Sequence, residues 1–233
     1  MKEAYIRFMA PVNPQTTDTL IRAIDERLKQ GYTKLHLLVS SPGGSVFHGI
    51  SLYNYLKGIP IDVATYNFGS VDSIGVVLFC AGKERFSVPN ARFLIHGVTM
   101  QISGAISLDE KRIDEMLKSI RIDKSNIASI IAETTNKTPK SIFDIIDERK
   151  TLNPIEAKKF GLVTDIKTEL IPKGAELYTI NEIEPPPQQL PIQQIMPLHP
   201  AFMFPQSPQI VQKPQNKIDT YTSYFDRGVV VTN

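Results

Sequence analysis

Nine of the 17 prolines fall between Pro185 and Pro214, together with seven glutamines. Proline removes backbone donors, and glutamine is costly to bury without apolar gain, so this stretch cannot extend a packed core. The distribution divides the chain into a folded domain at 1–170 and a mostly disordered, Pro/Gln-rich extended tail at 171–233. A domain of that length buries a single core. The whole chain carries 26 basic and 24 acidic residues, a net charge of +2. Neither the domain (22 basic, 19 acidic) nor the tail (4 basic, 5 acidic) is a polyelectrolyte. A nucleic-acid partner is therefore not expected. The lone cysteine, Cys80, excludes an intrachain disulfide and fits a reducing, cytoplasmic location. No apolar run approaches the roughly 18–20 residues a membrane span needs, and Met1–Arg7 has no apolar signal region, so neither membrane nor export is expected.

Within the domain, short apolar runs alternate with amphipathic segments. Residues 4–9 read as a first strand, broken by Pro11 and Pro14. Thr16 or Thr17 can cap a helix running to about Gln30, stopped by Gly31. Residues 34–40 read as a buried strand, 41–44 as a turn, 46–56 as a helix and 61–68 as a third strand. This order predicts an α/β fold with a parallel sheet and crossover helices. Residues 73–81 are ambiguous between strand and helix. Residues 86–88 and 92–95 read as a short strand pair. Ser107, with Glu110 three residues on, starts a long helix to Thr134. Helices at 139–146 and 154–160 and a strand at 162–166 close the domain.

Three segments carry chemistry. In Gly69-Ser-Val-Asp-Ser73-Ile-Gly75, a serine among small residues precedes a buried helix, whose free N–H groups favour an anion. An acyl-transfer nucleophile requires such donors for its oxyanion; the plain alternative is that Asp72 or Ser73 only caps the helix. Ser41-Pro42-Gly43-Gly44-Ser45 is either a tight turn or a turn whose exposed N–H groups donate to an oxyanion. His96, at the end of an apolar strand, is either a general base or a structural half-buried histidine. His36, His48 and His199 share no metal-ligand spacing with it, so no metal site is expected.

Taken in order, these segments resemble the Clp protease proteolytic subunit family, related to signal peptide peptidases of the same fold. The resemblance spans about residues 4–168. It rests on 41–45, on Gly-x-x-x-Ser-x-Gly at 69–75, on Ala81-Gly82 with Arg85-Phe86, Pro89-Asn90, Arg92 and Ile95-His96, and on Glu156-Ala157 with Gly161-Leu162-Val163. It implies a crotonase-like Clp-protease fold of stacked ββα units with a long handle helix. It implies a serine endopeptidase acting on peptide or protein substrates inside a homo-oligomeric ring, with no cofactor. Carried over, Ser73 is the nucleophile, His96 its base, and the N–H groups of Gly43 and Ile74 the oxyanion hole.

Two positions depart from the family pattern. Arg149 stands where the resemblance expects the triad aspartate, and a guanidinium cannot accept the His96 N–H. Glu148, Asp147, Asn153 or a backbone group would have to replace it. Asp72 stands where the family has a small residue; it would oppose an oxyanion if inward and be harmless as an outward cap. The family's N-terminal axial loop is also not expected here, which argues against an ATPase partner. The competing reading is a catalytically weak or inactive ring or scaffold subunit. A crotonase-type acyl-CoA enzyme shares the oxyanion logic, but no segment resembles an acyl-CoA site. In the tail, apolar groups at 202–204 and 228–232 mark either a linker or a docking peptide.

Overall fold

The computed structural model describes residues 2–100, 102, 104 and 107–181. The tail readings at 202–204 and 228–232, and His199, lie outside the described residues. The first strand, β1 (Glu3–Met9), is followed by α1 (Pro14–Lys29), β2 (Lys34–Ser41), α2 (Val46–Gly58) and β3 (Asp62–Asp72). Next come α3 (Ile74–Cys80), β4 (Glu84–Ser87), β5 (Arg92–Ile95) and the long α4 (Glu110–Thr135). The domain continues with α5 (Pro139–Glu148), β6 (Lys150–Leu152), α6 (Pro154–Phe160), β7 (Asp165–Ile166) and β8 (Leu177–Asn181).

The strands form one sheet whose main path runs β6-β5-β3-β2-β1-β8. All pairs are parallel except β5 with β6. Parallel pairing requires crossovers, and α1 and α2 supply them. The expected strand pair at 86–88 and 92–95 is not a pair. β4 and β5 instead lie along successive halves of β3, at Ala64–Asn67 and Ser70–Asp72 respectively. The sheet branches there. Buried Asn67 fills the junction: its Nδ2 donates to the Arg92 carbonyl at 2.8 Å and its Oδ1 accepts the Gly69 N–H at 3.0 Å. These bonds satisfy backbone groups that the branching ladder leaves unpaired. The β2–β3 register also slips, from Val39 opposite Asn67 to Ser41 opposite Val71. Two extra residues on β3 at this bulge steer the strand end toward the β2–α2 turn.

One face of the sheet, carrying Ile6, Phe8, Leu35, Leu37, Val39, Val71 and Phe93, packs against the helices. The completely apolar α3 is buried along its whole length between them. Burying each large side chain here contributes roughly 1.5–3 kcal/mol. The opposite face carries Tyr5, Leu38, Ala64, Tyr66 and Phe86, against which Leu170, Ile171, Ala175 and Leu177 pack. Composition assigns 171–181 to the tail, but Leu177–Asn181 forms β8, in parallel register with Tyr5–Met9 of β1. Its alternating apolar residues decide its placement, and the proline-rich stretch begins only beyond it.

Two helix starts differ from the sequence expectation. Asn13, not Thr16 or Thr17, caps α1: its Oδ1 accepts the Thr16 N–H at 2.9 Å, and Thr16 Oγ1 accepts the Asn13 N–H at 3.1 Å. Pro14 then occupies the first turn, where no N–H is needed. Asp109, not Ser107, caps α4 by accepting the Arg112 N–H at 2.8 Å.

Candidate active site

Ser73 lies at the β3–α3 junction with φ 57° and ψ −128°. A non-glycine residue in this region stores roughly 1–3 kcal/mol of strain. The surrounding chain fixes it there: the Ser73 N–H donates to the Leu94 carbonyl at 2.8 Å, and its own carbonyl accepts the Val76 N–H at 3.0 Å. Its backbone thus ties the end of β3 to β5 and opens α3. The first helical N–H, that of Ile74, has no intrahelical acceptor, as at any helix start.

The Ser41–Ser45 turn lies directly against this junction. Gly43 has φ 92°, and a Cβ on it would stand 2.6 Å from the Ser73 Cβ and 2.8 Å from the Asp72 carbonyl oxygen. Only glycine fits both the backbone and the space. A Cβ on Gly44 would strike the Val12 carbonyl oxygen. Val12 in turn anchors the turn, donating to the Gly43 carbonyl at 2.7 Å and accepting from the Ser45 N–H at 2.8 Å. The Gly43 N–H donates to Ser41 Oγ at 3.2 Å. Gly75 serves close packing: a Cβ there would lie 3.4 Å from the Ser41 Cβ.

His96 follows β5 and is half-buried. Gly44, Val46, Ser73, Ile74, His96 and Ile131 are among the residues lining one narrow cleft of about 40 Å³. The fold thus brings Ser73 and His96 to a common cavity from residues 23 positions apart. His96 Nδ1 lies 2.8 Å from the Gly97 carbonyl oxygen. A carbonyl only accepts, so Nδ1 carries a proton, and in the neutral ring Nε2 is then the acceptor.

The carboxylates considered from sequence do not reach His96. Asp147 pairs with Lys124 Nζ at 2.5 Å, and Glu148 lies 4.0 Å from Lys150 Nζ; both are exposed. Asn153 is spent as the cap of α6, accepting the Glu156 N–H at 3.0 Å while Glu156 Oε2 accepts the Asn153 N–H at 2.9 Å. Arg149 ends α5 in the left-handed region at φ 53°. The antiparallel β5–β6 register pairs Ile95 with Lys150, so Arg149 comes next in line opposite His96.

Asp72 is not a helix cap. It is buried, with Oδ2 2.9 Å from Arg92 Nη2 and Oδ1 accepting the Ser70 hydroxyl at 2.7 Å. Sequence reasoning missed Ser70 and Arg92. Their signal was the i, i+2 spacing of Ser70 and Asp72 on one strand face, visible once β3 is extended to Asp72.

Three roomier cavities lie elsewhere among the described residues, one of them, of about 370 Å³, along Glu110 to Lys118 of α4. One of about 510 Å³ is walled by Tyr5, Tyr66 and Leu170, and one of about 390 Å³ by Tyr53, Cys80 and Arg85. None of the three is lined by a serine and a histidine together. Burial pushes the Cys80 thiol up to about 11, so it is not a thiolate nucleophile.

The Clp protease family model matches residues 1–169. Proteolytic subunit 3 of the ATP-dependent Clp protease of Streptomyces avermitilis is 32% identical over 134 residues, covering 57% of this chain and 59% of that protein. The ATP-dependent Clp protease proteolytic subunit of Bdellovibrio bacteriovorus is 31% identical over 137 residues, covering 57% and 63%. The matches therefore span about three fifths of the length of these relatives. Among solved structures, a ClpP1 mutant from Listeria monocytogenes aligns with a TM-score of 0.63 at 24% identity, over 72% of this chain and 92% of that one. This last likeness bears on the fold alone.

Proposed function

Because the chain belongs to the Clp protease family, we propose that it is a serine endopeptidase with Ser73 as nucleophile and His96 as base. The observation that carries this reading is the single cleft shared by strained Ser73 and a histidine whose Nδ1 is held by a backbone carbonyl. With Nδ1 protonated, His96 Nε2 accepts the Ser73 proton as Oγ attacks the scissile carbonyl. The oxyanion takes hydrogen bonds from the Ile74 N–H and from the Gly43 N–H, which it must win from Ser41 Oγ. His96 then returns the proton to the leaving amine, and water hydrolyses the acyl-serine by the same exchange.

The Gly97 carbonyl stands in for the triad carboxylate as orienter of His96. A carbonyl dipole stabilises the imidazolium less than a full charge does. In a well-studied triad, replacing the acid by its amide lowers kcat by about 10⁴, so slow turnover is expected. Family membership supports peptide or protein substrates, a homo-oligomeric ring and a cytoplasmic setting for this chain. The reaction as written uses no cofactor and no ATPase partner.

Arg149, next in register to the pair opposite His96, favours a second reading as an inactive ring subunit that assembles with an active relative. Hydrolysis of a fluorogenic peptide by the purified full chain separates the two. The proposal expects slow cleavage that Ser73→Ala abolishes. Cleavage equal in wild type and Ser73→Ala, or none in the assembled oligomer, overturns it.

A further inference from the structure

A carboxylate lies immediately before the nucleophile position, and the fold has equipped it with a counter-charge. The Asp72 side chain is 11% exposed, against 57% for Arg92. Arg92 Nη2 donates to Asp72 Oδ2 at 2.9 Å, and Arg92 Nε donates to Ser70 Oγ at 2.9 Å. Ser70 Oγ in turn donates to Asp72 Oδ1 at 2.7 Å. The three side chains close a ring across the β3–β5 pairing, where Ser70 stands opposite Arg92 and Asp72 opposite Leu94. Two residues past Leu94 is His96. The next backbone bond of the ladder is Ser73 N–H to the Leu94 carbonyl. The ring therefore clamps the strand that delivers Ser73 to the strand that delivers His96, at their functional ends.

Its charge has a second consequence. An unpaired carboxylate one residue from Ser73 would oppose negative charge developing on Oγ and on the oxyanion. A buried carboxylate deprived of its partner is also strongly destabilised. We propose that Arg92 is a positioning residue for the Ser73–His96 centre, acting through Asp72 and Ser70 to fix the β3–β5 junction and cancel the Asp72 charge. This inference rests on the reading of Ser73 as nucleophile. Lysine is not equivalent here, because the guanidinium bonds Ser70 and Asp72 with two separate nitrogens.

The sign of the effect distinguishes this role from plain structural support. Arg92→Gln and Asp72→Asn break the same ion pair, but only Arg92→Gln leaves an uncompensated carboxylate. The experiment is the rate at which a fluorophosphonate labels Ser73 in the folded oligomeric fraction of each variant of the full chain, at low and high salt. Arg92→Gln is expected to slow labelling at least roughly tenfold, the order of effect for one unpaired charge beside a reacting oxyanion. Asp72→Asn should slow it less, and adding Asp72→Asn to Arg92→Gln should recover the Asp72→Asn rate. Raised salt should speed labelling of Arg92→Gln more than of wild type, by screening Asp72. If the glutamine variant does not fold, Arg92→Lys, which retains the charge but not both bonds, is compared with wild type and should label more slowly, and a rate equal to wild type overturns the inference. Equal losses in the two single variants, or changes in melting temperature with unchanged labelling, overturn the inference. A wild-type protein that Ser73 probes do not label overturns the peptidase reading, and this inference with it.

Discussion

Ser73 is held in a conformation that its own side chain disfavours. Glycine adopts positive φ freely, so Ser73→Gly should raise stability by about 1 kcal/mol after the entropy that glycine costs in the unfolded chain. Ser73→Ala keeps the Cβ and should not. Thermal melts of the two variants check this; a glycine variant less stable than the alanine one contradicts it. Gly43 is the opposite case, since any side chain there meets the Ser73 Cβ and the Asp72 carbonyl. A third residue ties stability to pH. His36 is buried, stacked on Tyr5 with ring centroids 4.3 Å apart, with Nδ1 2.8 Å from the Tyr66 hydroxyl and Nε2 3.0 Å from Glu3 Oε2. The neutral ring satisfies both, accepting from Tyr66 and donating to the Glu3 carboxylate. Burial holds the His36 pKa below its ordinary 6.5, outweighing the opposite pull of Glu3. The His36 hydrogen bond in turn lowers the Glu3 pKa from 4.5. The unfolded chain therefore takes up a proton near pH 6.5 that the folded chain refuses. Stability is full above that pH and declines as pH falls below it, with Glu3 adding to the loss below about 4.5. Melting temperature should fall between pH 7 and 5, and His36→Gln should flatten the slope; equal slopes contradict the assignment.

Among the elements, β8 has the clearest energetic role. It pairs along β1 and brings Leu177 onto the apolar face that Leu170, Ile171 and Ala175 also cover. Ending the chain after Leu170 removes that strand and uncovers Tyr5 and Leu38. The shortened protein should aggregate or melt well below the full chain; an unchanged melting temperature contradicts this account. β8 was not legible from sequence because its neighbours, Pro172 to Gly174 and the proline-rich stretch, dominate the local composition. β2 and α2 were legible, since apolar runs bounded by Gly and Pro have few alternatives. The end of β3 was not, because Asn67, Gly69, Ser70 and Asp72 are polar or small residues used at a branch and a bulge rather than on a regular face. The motif order singled out Ser73, Gly43 and His96, and the fold places Ser73 and His96 on one cleft with Gly43 against Ser73. The contact of His96 Nδ1 with the Gly97 carbonyl was not legible, because a backbone carbonyl leaves no residue-type signal. Likewise, the partner of Asp72 depends on a β3–β5 register that no local pattern records.

At the scale of the whole molecule, several large apolar side chains of the described residues are exposed. Phe47 at the start of α2 is 74% exposed, and Ile113 and Leu117, one turn apart on α4, are 44% and 43% exposed. Such residues are typical of surfaces covered on assembly. If the chain forms the ring expected of its family, Ile113→Glu with Leu117→Glu should lower the assembled mass measured by light scattering while leaving the far-ultraviolet circular dichroism unchanged. An unaltered mass contradicts a role for this face of α4. The proposed active centre draws on three parts of the domain: the β2–α2 turn, the β3–α3 junction and the end of β5. The most direct measurement is to treat the assembled full chain with a fluorophosphonate and locate the adduct by peptide mass spectrometry. The account predicts a single phosphonylated residue, Ser73, with labelling lost in His96→Ala. An adduct on another serine, or labelling of Ser73 that is indifferent to His96, contradicts it.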